Sequence, residues 1–297
     1  MKHTRRILFL ILMGALLFTV CGNSAAAPAE TEFRKGASYA PWLPQPVYSL
    51  NSGRLTVDTN NIYAVGDGTF SISYDGGNTT VVPPVKFDDA AAWTYGLYVS
   101  PDKTAVAYEK GSSTYITISG DSGKTWDTYP IGKDILMPNC AGYYIQFMDQ
   151  NNGWLVAESV PLEQEPHGKR CPNRIFRTSD GGITWEETGN TGDAGFARTI
   201  SGIGFSSKDT GFISFIPEYW IGPIVYGTRD GGKTWTPSEG LPGLPEQYDY
   251  STPLSPVFDG PNGILPVRPS AGNGIIYYAT KDYGLSWEYG KGFGERK

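Results

Sequence analysis

The chain has 297 residues, of which 38 are glycine and 22 are proline, and it carries a formal net charge of −6. Proline is excluded from helix interiors and glycine destabilises them by about 1 kcal/mol, so a helical bundle and a doubly wound α/β fold are disfavoured. The acidic balance, with no basic run after residue 6, excludes the electrostatic pattern of nucleic-acid binding. A hydrophobic fraction of 39% with 19 tyrosines favours a packed all-β domain over a disordered chain.

Residues 1–27 have the layout of a secretory signal peptide. Basic residues within positions 1–6 precede an apolar run at 7–20, and small residues follow at 24–27. An apolar run of this length makes a helix of about 21 Å, short of a bilayer core, so a membrane span is the weaker interpretation. We expect residues 28–50 to be a linker with a possible closing strand at 47–50, and residues 51–297 to be the folded domain.

Cys21 gives the leader a second interpretation. The sequence Cys21-Gly22-Asn23-Ser24 resembles the start of a mature bacterial lipoprotein, although Val20 and Phe18 depart from the usual lipobox. Lipidation at Cys21 and plain cleavage near residue 26 or 27 both remain open. Either way the sequence predicts an extracytoplasmic protein, secreted or lipid-anchored to a bacterial cell membrane.

The other two cysteines are Cys140 and Cys171, and an oxidising compartment favours a disulfide between them. Two buried free thiols are the alternative. Metal binding is the weaker interpretation, because these two cysteines and the two histidines, His3 in the leader and His167, do not make up a ligand pattern; no metal site and no cofactor is predicted.

One eight-residue motif recurs five times between residues 73 and 287. Each copy has Ser or Thr, then Asp two residues later, a glycine two residues after that, and then Thr or Ser, with successive aspartates 46, 59, 50 and 52 residues apart. The aspartates are Asp75, Asp121, Asp180, Asp230 and Asp282; Trp126, Trp185, Trp235 and Trp287 close the last four copies. The first copy lacks the tryptophan, and Ser122 and Tyr283 replace the first glycine of the second and fifth copies.

The chemistry of this motif predicts a turn. The Asp carboxylate can accept backbone N–H groups within the loop, and glycine suits a left-handed backbone position. The tryptophan then enters the next strand as an apolar cover. These residues are therefore predicted to be structural, and an aspartate occupied in this way is a poor acid, base or metal ligand.

Alternating apolar stretches predict two strands before each motif copy, a third leading into it and a fourth after it. In the third unit these are 145–149, 153–156, 174–177 and 185–188. Four antiparallel strands in each of five units predict a single β-propeller of about five blades, closed by contact between blades one and five.

The motif resembles the BNR, or Asp-box, repeat over residues 54–290. This resemblance implies the propeller fold of the sialidase-like superfamily. It implies little about function, because sialidases, xyloglucanases, sortilin-like receptors and photosystem II assembly factors share the repeat. The sequence is most similar in style to the photosystem II assembly-factor group and its bacterial exported relatives.

Propeller geometry places the loops between second and third strands, and the connections between blades, on the side away from the motif turns. These loops vary most, and variable loops on a rigid scaffold commonly bind ligands. Trp93 and Trp220 can equally be blade caps, and a solvated position is the favoured interpretation of His167 and of the acidic residues. The predicted binding residues are Trp93, Glu218, Tyr219, Trp220, Tyr248, Tyr250 and Arg268.

Two functions follow from this pattern, and a purely structural role in the cell envelope is a third, weaker interpretation. The first is non-catalytic binding of a protein or glycan partner by a monomeric, extracytoplasmic scaffold, with no predicted catalytic residue. The second is a glycoside hydrolase that pairs carboxylates among Asp88, Asp89, Glu218, Glu246 and Asp249. No arginine cluster or Gly-x-Ser-x-Gly motif supports the hydrolase, so the sequence favours binding.

Overall fold

The structure is a computed structural model, and the residues described below all belong to the unit that spans 33–297. It describes residues 37–39, 47–51, 54–58, 60–66, 69–86, 95–111, 113–131, 140–159, 172–191, 199–217, 224–238, 241, 251–269 and 275–293. These contain 22 β-strands and no helix, which confirms the all-β prediction. The predicted leader and Cys21 lie outside the described residues.

Four consecutive antiparallel sheets form blades two to five, and strand order within each sheet follows the chain. Blade two contains β6(Tyr95–Val99), β7(Thr104–Lys110), β8(Ser113–Ser119) and β9(Asp127–Pro130). Blade three contains β10(Cys140–Phe147), β11(Gly153–Ser159), β12(Arg174–Thr178) and β13(Glu186–Asn190). Blade four contains β14(Ile200–Phe205), β15(Gly211–Phe215), β16(Ile224–Thr228) and β17(Thr236–Pro237). Blade five contains β18(Thr252–Pro253) and β19(Val257–Asp259), both paired with β20(Asn262–Arg268), then β21(Ile275–Thr280) and β22(Glu288–Phe293).

Blade one is less regular than the others. Its described residues form two hairpins, β2(Val47–Asn51) with β3(Arg54–Asp58) and β4(Ile62–Gly66) with β5(Thr69–Ser73). The outer strand is reduced to one bridge between Ile72 and Val81. The motif copy in this blade has Thr80 where the others have tryptophan, so the large side chain that would hold an outer strand in place is missing.

The innermost strands of the blades contact one another in chain order. Strand β6 contacts β10, β10 contacts β14, β14 contacts β19, and β19 contacts β2 of the first blade. Glycines allow this close approach, because a Cβ on Gly96 would overlap the backbone of Tyr143 and one on Gly204 would overlap the backbone of Pro256. Phe70 of blade one packs against Tyr95 of blade two with ring centroids 4.8 Å apart, so the blades form one ring, which is the arrangement of a β-propeller.

Aromatic side chains fill the seams between blades two and three, three and four, and four and five. Trp154 of blade three stacks on Phe205 of blade four with ring centroids 4.1 Å apart, and Phe212 of blade four stacks on Phe258 of blade five at 5.5 Å. Tyr98 of blade two donates its hydroxyl to the carbonyl oxygen of Phe147 in blade three at 3.1 Å. The core is thus a series of inter-blade layers, which fixes each blade relative to the next.

The five motif copies, which we call the box turns (73–80, 119–126, 178–185, 228–235 and 280–287), lie on one side of the ring. Each donates a backbone N–H to the turn between the first two strands of its own blade; examples are Gly181 to Asn151 at 2.8 Å and Gly231 to Asp209 at 3.0 Å. We call this the box side. The second strand of each blade ends on the opposite side, the loop side.

Tyr283 occupies a left-handed backbone position in the fifth box turn, with φ of 61° and 44% of its surface exposed. A residue with a Cβ is strained there by about 1–2 kcal/mol, part of which is offset because glycine loses more entropy on folding. We expect Tyr283→Gly to raise the free energy of unfolding by about 0.5–1 kcal/mol, measured by urea denaturation.

Lys281 provides the control, because it is exposed in the same turn and its φ is not positive. Lys281→Gly should not stabilise the protein. Equal effects of the two substitutions would contradict the assignment of strain to position 283.

Candidate functional site

The box-turn aspartates bind their own turns. In the third copy one oxygen of Asp180 accepts the Thr178 hydroxyl at 2.8 Å and the Thr184 N–H at 2.9 Å, and the other accepts the Thr184 hydroxyl at 2.6 Å. The Thr178 hydroxyl also accepts the Gly182 N–H at 2.8 Å. Equivalent bonds recur at Asp75, Asp121, Asp230 and Asp282.

These hydrogen bonds keep the carboxylates ionised. Bonds from the backbone and side chain of Thr125 lower the pKa of Asp121 to about 2. At Asp282, partial burial raises the pKa, but bonds from Ser286 and Thr280 outweigh it and the result is about 2. Because their acceptor sites are occupied within the turn, these aspartates hold structure and are unsuited to proton transfer.

The tryptophans that close the box turns lie over their own turn. Trp185, Trp235 and Trp287 are buried, and Trp126 is half-buried. The indole N–H of Trp126, Trp185 and Trp235 donates to the carbonyl three residues earlier at 3.0–3.1 Å. In the fifth turn Arg229 of blade four donates to the corresponding Gly284 carbonyl at 2.8 Å, and the buried Trp287 Nε1 has no hydrogen-bond partner.

A cation lies at each of three seams on the box side. Lys103 of blade two lies over the Phe147 ring and donates to the Gly181 carbonyl at 2.9 Å. Burial lowers the pKa of the Lys103 ammonium, against the opposing fields of Asp149 and Asp180. Arg177 lies over Trp154 at the next seam, and Arg229 lies over Phe212 at the one after. Each of these cations packs between an aromatic ring and the box turn of the following blade.

An open polar groove of about 310 Å³ lies between blades two and three on the box side. Lys103, Asp127, Tyr129, Gln150 and Asp180 are among its lining residues. Lys103 and Asp180 are already bonded to backbone or side-chain groups of the third box turn. These bonds make the groove part of the blade seam.

The predicted binding residues all belong to segments attached to the loop side. Arg268 is the last residue of β20, half-buried, with its backbone paired to Thr252. The other six, Trp93, Glu218, Tyr219, Trp220, Tyr248 and Tyr250, lie outside the described residues, as do Cys171 and the hydrolase candidates Asp88, Asp89, Glu246 and Asp249. Cys140 is the first residue of β10. Because its predicted partner Cys171 lies outside the described residues, the disulfide stays a prediction.

Two tyrosine–glutamate pairs lie near the loop side, and the sequence analysis did not find them. The Tyr143 hydroxyl donates to Glu109 at 3.0 Å, and the Tyr144 hydroxyl donates to Glu158 at 3.2 Å. Successive residues of a strand point to opposite faces, so Tyr143 reaches blade two while Tyr144 faces blade four. The available signal was the matched position of the two glutamates, each next to the end of the second strand in its blade.

The first pair joins blades two and three, and the second, which lies within blade three, bonds to Ile200 of blade four. Glu158 is 1% exposed and accepts the Ile200 N–H of blade four at 2.9 Å, while the single hydroxyl proton of Tyr144 is shared between Glu158 and the nearer Ile200 carbonyl at 2.7 Å. Glu109 is half-buried, and this burial raises its pKa against the hydrogen bond from Tyr143. Tyr143 and Tyr144 are fully buried, so both hydrogen bonds are made within the packing of the blades.

Glu158→Ala is expected to destabilise the protein by about 2–3 kcal/mol, because it leaves the buried Ile200 N–H without its acceptor. Glu158→Gln retains an acceptor oxygen and should cost clearly less. Thermal unfolding of the two variants tests the difference. Equal, small losses would contradict a structural role for the carboxylate.

Among the described residues, no group of three or more His, Cys, Asp or Glu side chains is arranged to hold a metal ion. In the same part of the chain, no helix has the length and hydrophobicity needed to cross a membrane.

Comparison with known proteins gives only distant structural likenesses. No protein-family model matches the chain, and no curated protein matches it. A GH74 xyloglucanase from Xanthomonas campestris is similar with a TM-score of 0.43 and 14% identity, covering 79% of this chain and 36% of that chain. YCF48 from Cyanidioschyzon merolae has a TM-score of 0.37 and 18% identity, covering 86% and 88%.

A Hadza microbial sialidase has a TM-score of 0.43 and 15% identity, covering 74% of this chain and 50% of that chain. The chain thus spans about a third of the xyloglucanase and half of the sialidase. These likenesses carry no conclusion about activity.

Proposed function

We propose that this chain is an exported, non-catalytic β-propeller of the BNR/Asp-box family that binds a protein or glycan partner through its loop side. The proposal rests on one observation, a difference in structure between the two sides of the ring. The box-side aspartates are saturated by their own turns, whereas the strands flanking the predicted binding residues end on the loop side.

The ring also provides the rigidity that such a role needs. Stacked rings at the seams and glycine-mediated contacts between inner strands fix the blades that carry the loops. Aromatic side chains on a fixed scaffold provide contact area at low conformational-entropy cost. The signal-peptide pattern at 1–27 supports export, with Cys21 as the candidate lipid attachment site.

A glycoside hydrolase is the second candidate function. The segments 87–94, 218–223 and 242–250 attach to the loop side and contain the five candidate carboxylates. Against this function, the two described tyrosine–glutamate pairs are consumed by inter-blade hydrogen bonds. Glu158, which is 1% exposed, is therefore inaccessible to a substrate.

Arrays of immobilised glycans and of peptides, probed with the mature protein, test the proposal. Trp220→Ala and Tyr250→Ala should lower the array signal at least tenfold while the thermal midpoint changes little. Asp230→Ala is the control, because it weakens a box turn on the other side and should lower the midpoint while leaving the array signal intact below it. An unchanged signal in both loop variants would contradict the proposal.

A further inference from the structure

Strand β1, Ala37–Tyr39, adds a fifth strand to blade two at its innermost edge. It pairs antiparallel with β6 in the register Ala37 with Val99, Ser38 with Tyr98 and Tyr39 with Leu97. The sheet order is therefore β1-β6-β7-β8-β9, whereas the inner strands of blades three and four pair only outward among the described residues. No other described inner edge of blades two to four carries an added strand.

The same strand touches inner strands of other blades. It contacts β2 of blade one, β10 of blade three and β14 of blade four as well as β6. Only a position inside the ring, where the inner strands converge, allows contact with four blades. Residues 37–39 thus occupy the central space between the blades.

The register gives β1 a direction through the ring. Val99 is the last residue of β6 and adjoins the turn at 100–103, which receives a backbone hydrogen bond from Ser122 of the second box turn. Ala37, opposite Val99, is therefore at the box side, and β1 runs from there toward the loop side.

We propose that the inner edge of β6 is a binding site for an extended peptide strand, and that residues 37–39 of the same chain fill this site. An unpaired strand edge presents a row of backbone donors and acceptors that an added strand satisfies, largely independently of side-chain identity. Leu97, Tyr98 and Val99, which form the edge, have no exposed surface. A strand of three residues contributes few backbone hydrogen bonds, so it can leave and be replaced by an equivalent peptide.

Cleavage of the full chain between β1 and β2 tests this proposal. A protease recognition sequence replaces part of residues 40–46, and the protein is cut after folding. We expect the N-terminal fragment to stay bound during gel filtration and to exchange for a dye-labelled synthetic peptide of residues 33–41. The same peptide with Ala37→Pro and Ser38→Pro should bind at least tenfold more weakly. Alternate residues of a strand donate their N–H to the same neighbour, so one of the two prolines removes a donor that would bond to β6.

Immediate release of the fragment with an unchanged thermal midpoint would overturn the proposal, as would equal binding of the proline peptide. If the uncut chain forms dimers in which β1 of one copy pairs with β6 of another, the edge belongs to a second copy, and the assignment to the same chain is overturned. None of these readouts involves the loop side, so they are independent of the proposed partner binding.

If the cut protein unfolds, two double-cysteine variants of the uncut chain test the pairing of β1 with β6. Ala37→Cys with Val99→Cys should form an intramolecular disulfide, because paired residues of adjacent antiparallel strands have Cα atoms about 4.5–5.5 Å apart. Ala37→Cys with Thr104→Cys is the control, since Thr104 lies on β7, one strand further away. Equal yields of the two disulfides by mass spectrometry would contradict the register.

Discussion

Trp154→Ala is expected to lower the free energy of unfolding by about 3–5 kcal/mol, the largest effect of any substitution considered. Trp154 has no exposed surface, stacks on Phe205 of blade four, and has Arg177 over its ring. It also packs against the position of Gly232 in the fourth box turn. Truncation would open a cavity at the seam between two blades, and urea denaturation measures the loss.

Trp154→Phe and Trp126→Ala are the controls for this prediction. Phenylalanine keeps an aromatic ring against Phe205 and removes an indole N–H that has no hydrogen-bond partner, so it should cost clearly less than alanine. Trp126 is a half-buried tryptophan of blade two, and its truncation should cost less than that of Trp154. If Trp154→Ala lowered the free energy of unfolding by less than about 1 kcal/mol, aromatic packing would not be the main interaction that holds the blades together.

Acid is expected to destabilise the protein steeply between about pH 4 and pH 2. All five box-turn aspartates have a pKa below the ordinary value, reaching about 2 at Asp121 and Asp282. A depressed folded-state pKa means that the unfolded chain binds protons first as the pH falls. The contribution of these carboxylates is therefore complete above the unfolded pKa of about 4 and disappears as the pH approaches the folded value.

Glu109 works in the opposite direction, because burial raises its pKa and its protonation favours the folded state. Because this one group opposes five aspartates, the free energy of unfolding is still expected to fall as the pH is lowered. Thermal midpoints recorded at half-unit pH steps measure the profile. Asp230→Asn should lower the midpoint at pH 7 and make the acid decline shallower, and a profile that is flat from pH 5 to pH 2.5 would contradict the role of the box turns.

The parts of the fold that the sequence predicts are the local ones. A box turn is specified by eight consecutive residues, because its Asp bonds to groups two to four positions away. Strand alternation then predicts the four-stranded blades. The first box turn has Thr80 in place of tryptophan, a departure visible in the sequence, but the reduction of the outer strand to one bridge was not predicted from it.

The parts that the sequence does not predict are contacts between distant segments. The Tyr144–Glu158–Ile200 set joins residues on three strands of two blades, and no local pattern encodes which strand Glu158 will face. Lys103 reaches Gly181, 78 positions away. Strand β1 is too short to show a period of two, and its partner β6 is some 60 residues further along the chain.

The central claim is that the loop side recognises a partner without transforming it, and the fate of a bound ligand tests this most directly. Oligosaccharides and peptides that the arrays identify are incubated with the mature protein, recovered and analysed by mass spectrometry. We predict that the ligand is recovered intact in a stoichiometric complex that Trp220→Ala abolishes. Cleaved ligand from the wild type, lost on substituting Asp88, Asp89, Glu218 or Asp249 in a folded protein, would contradict the claim and establish a hydrolase.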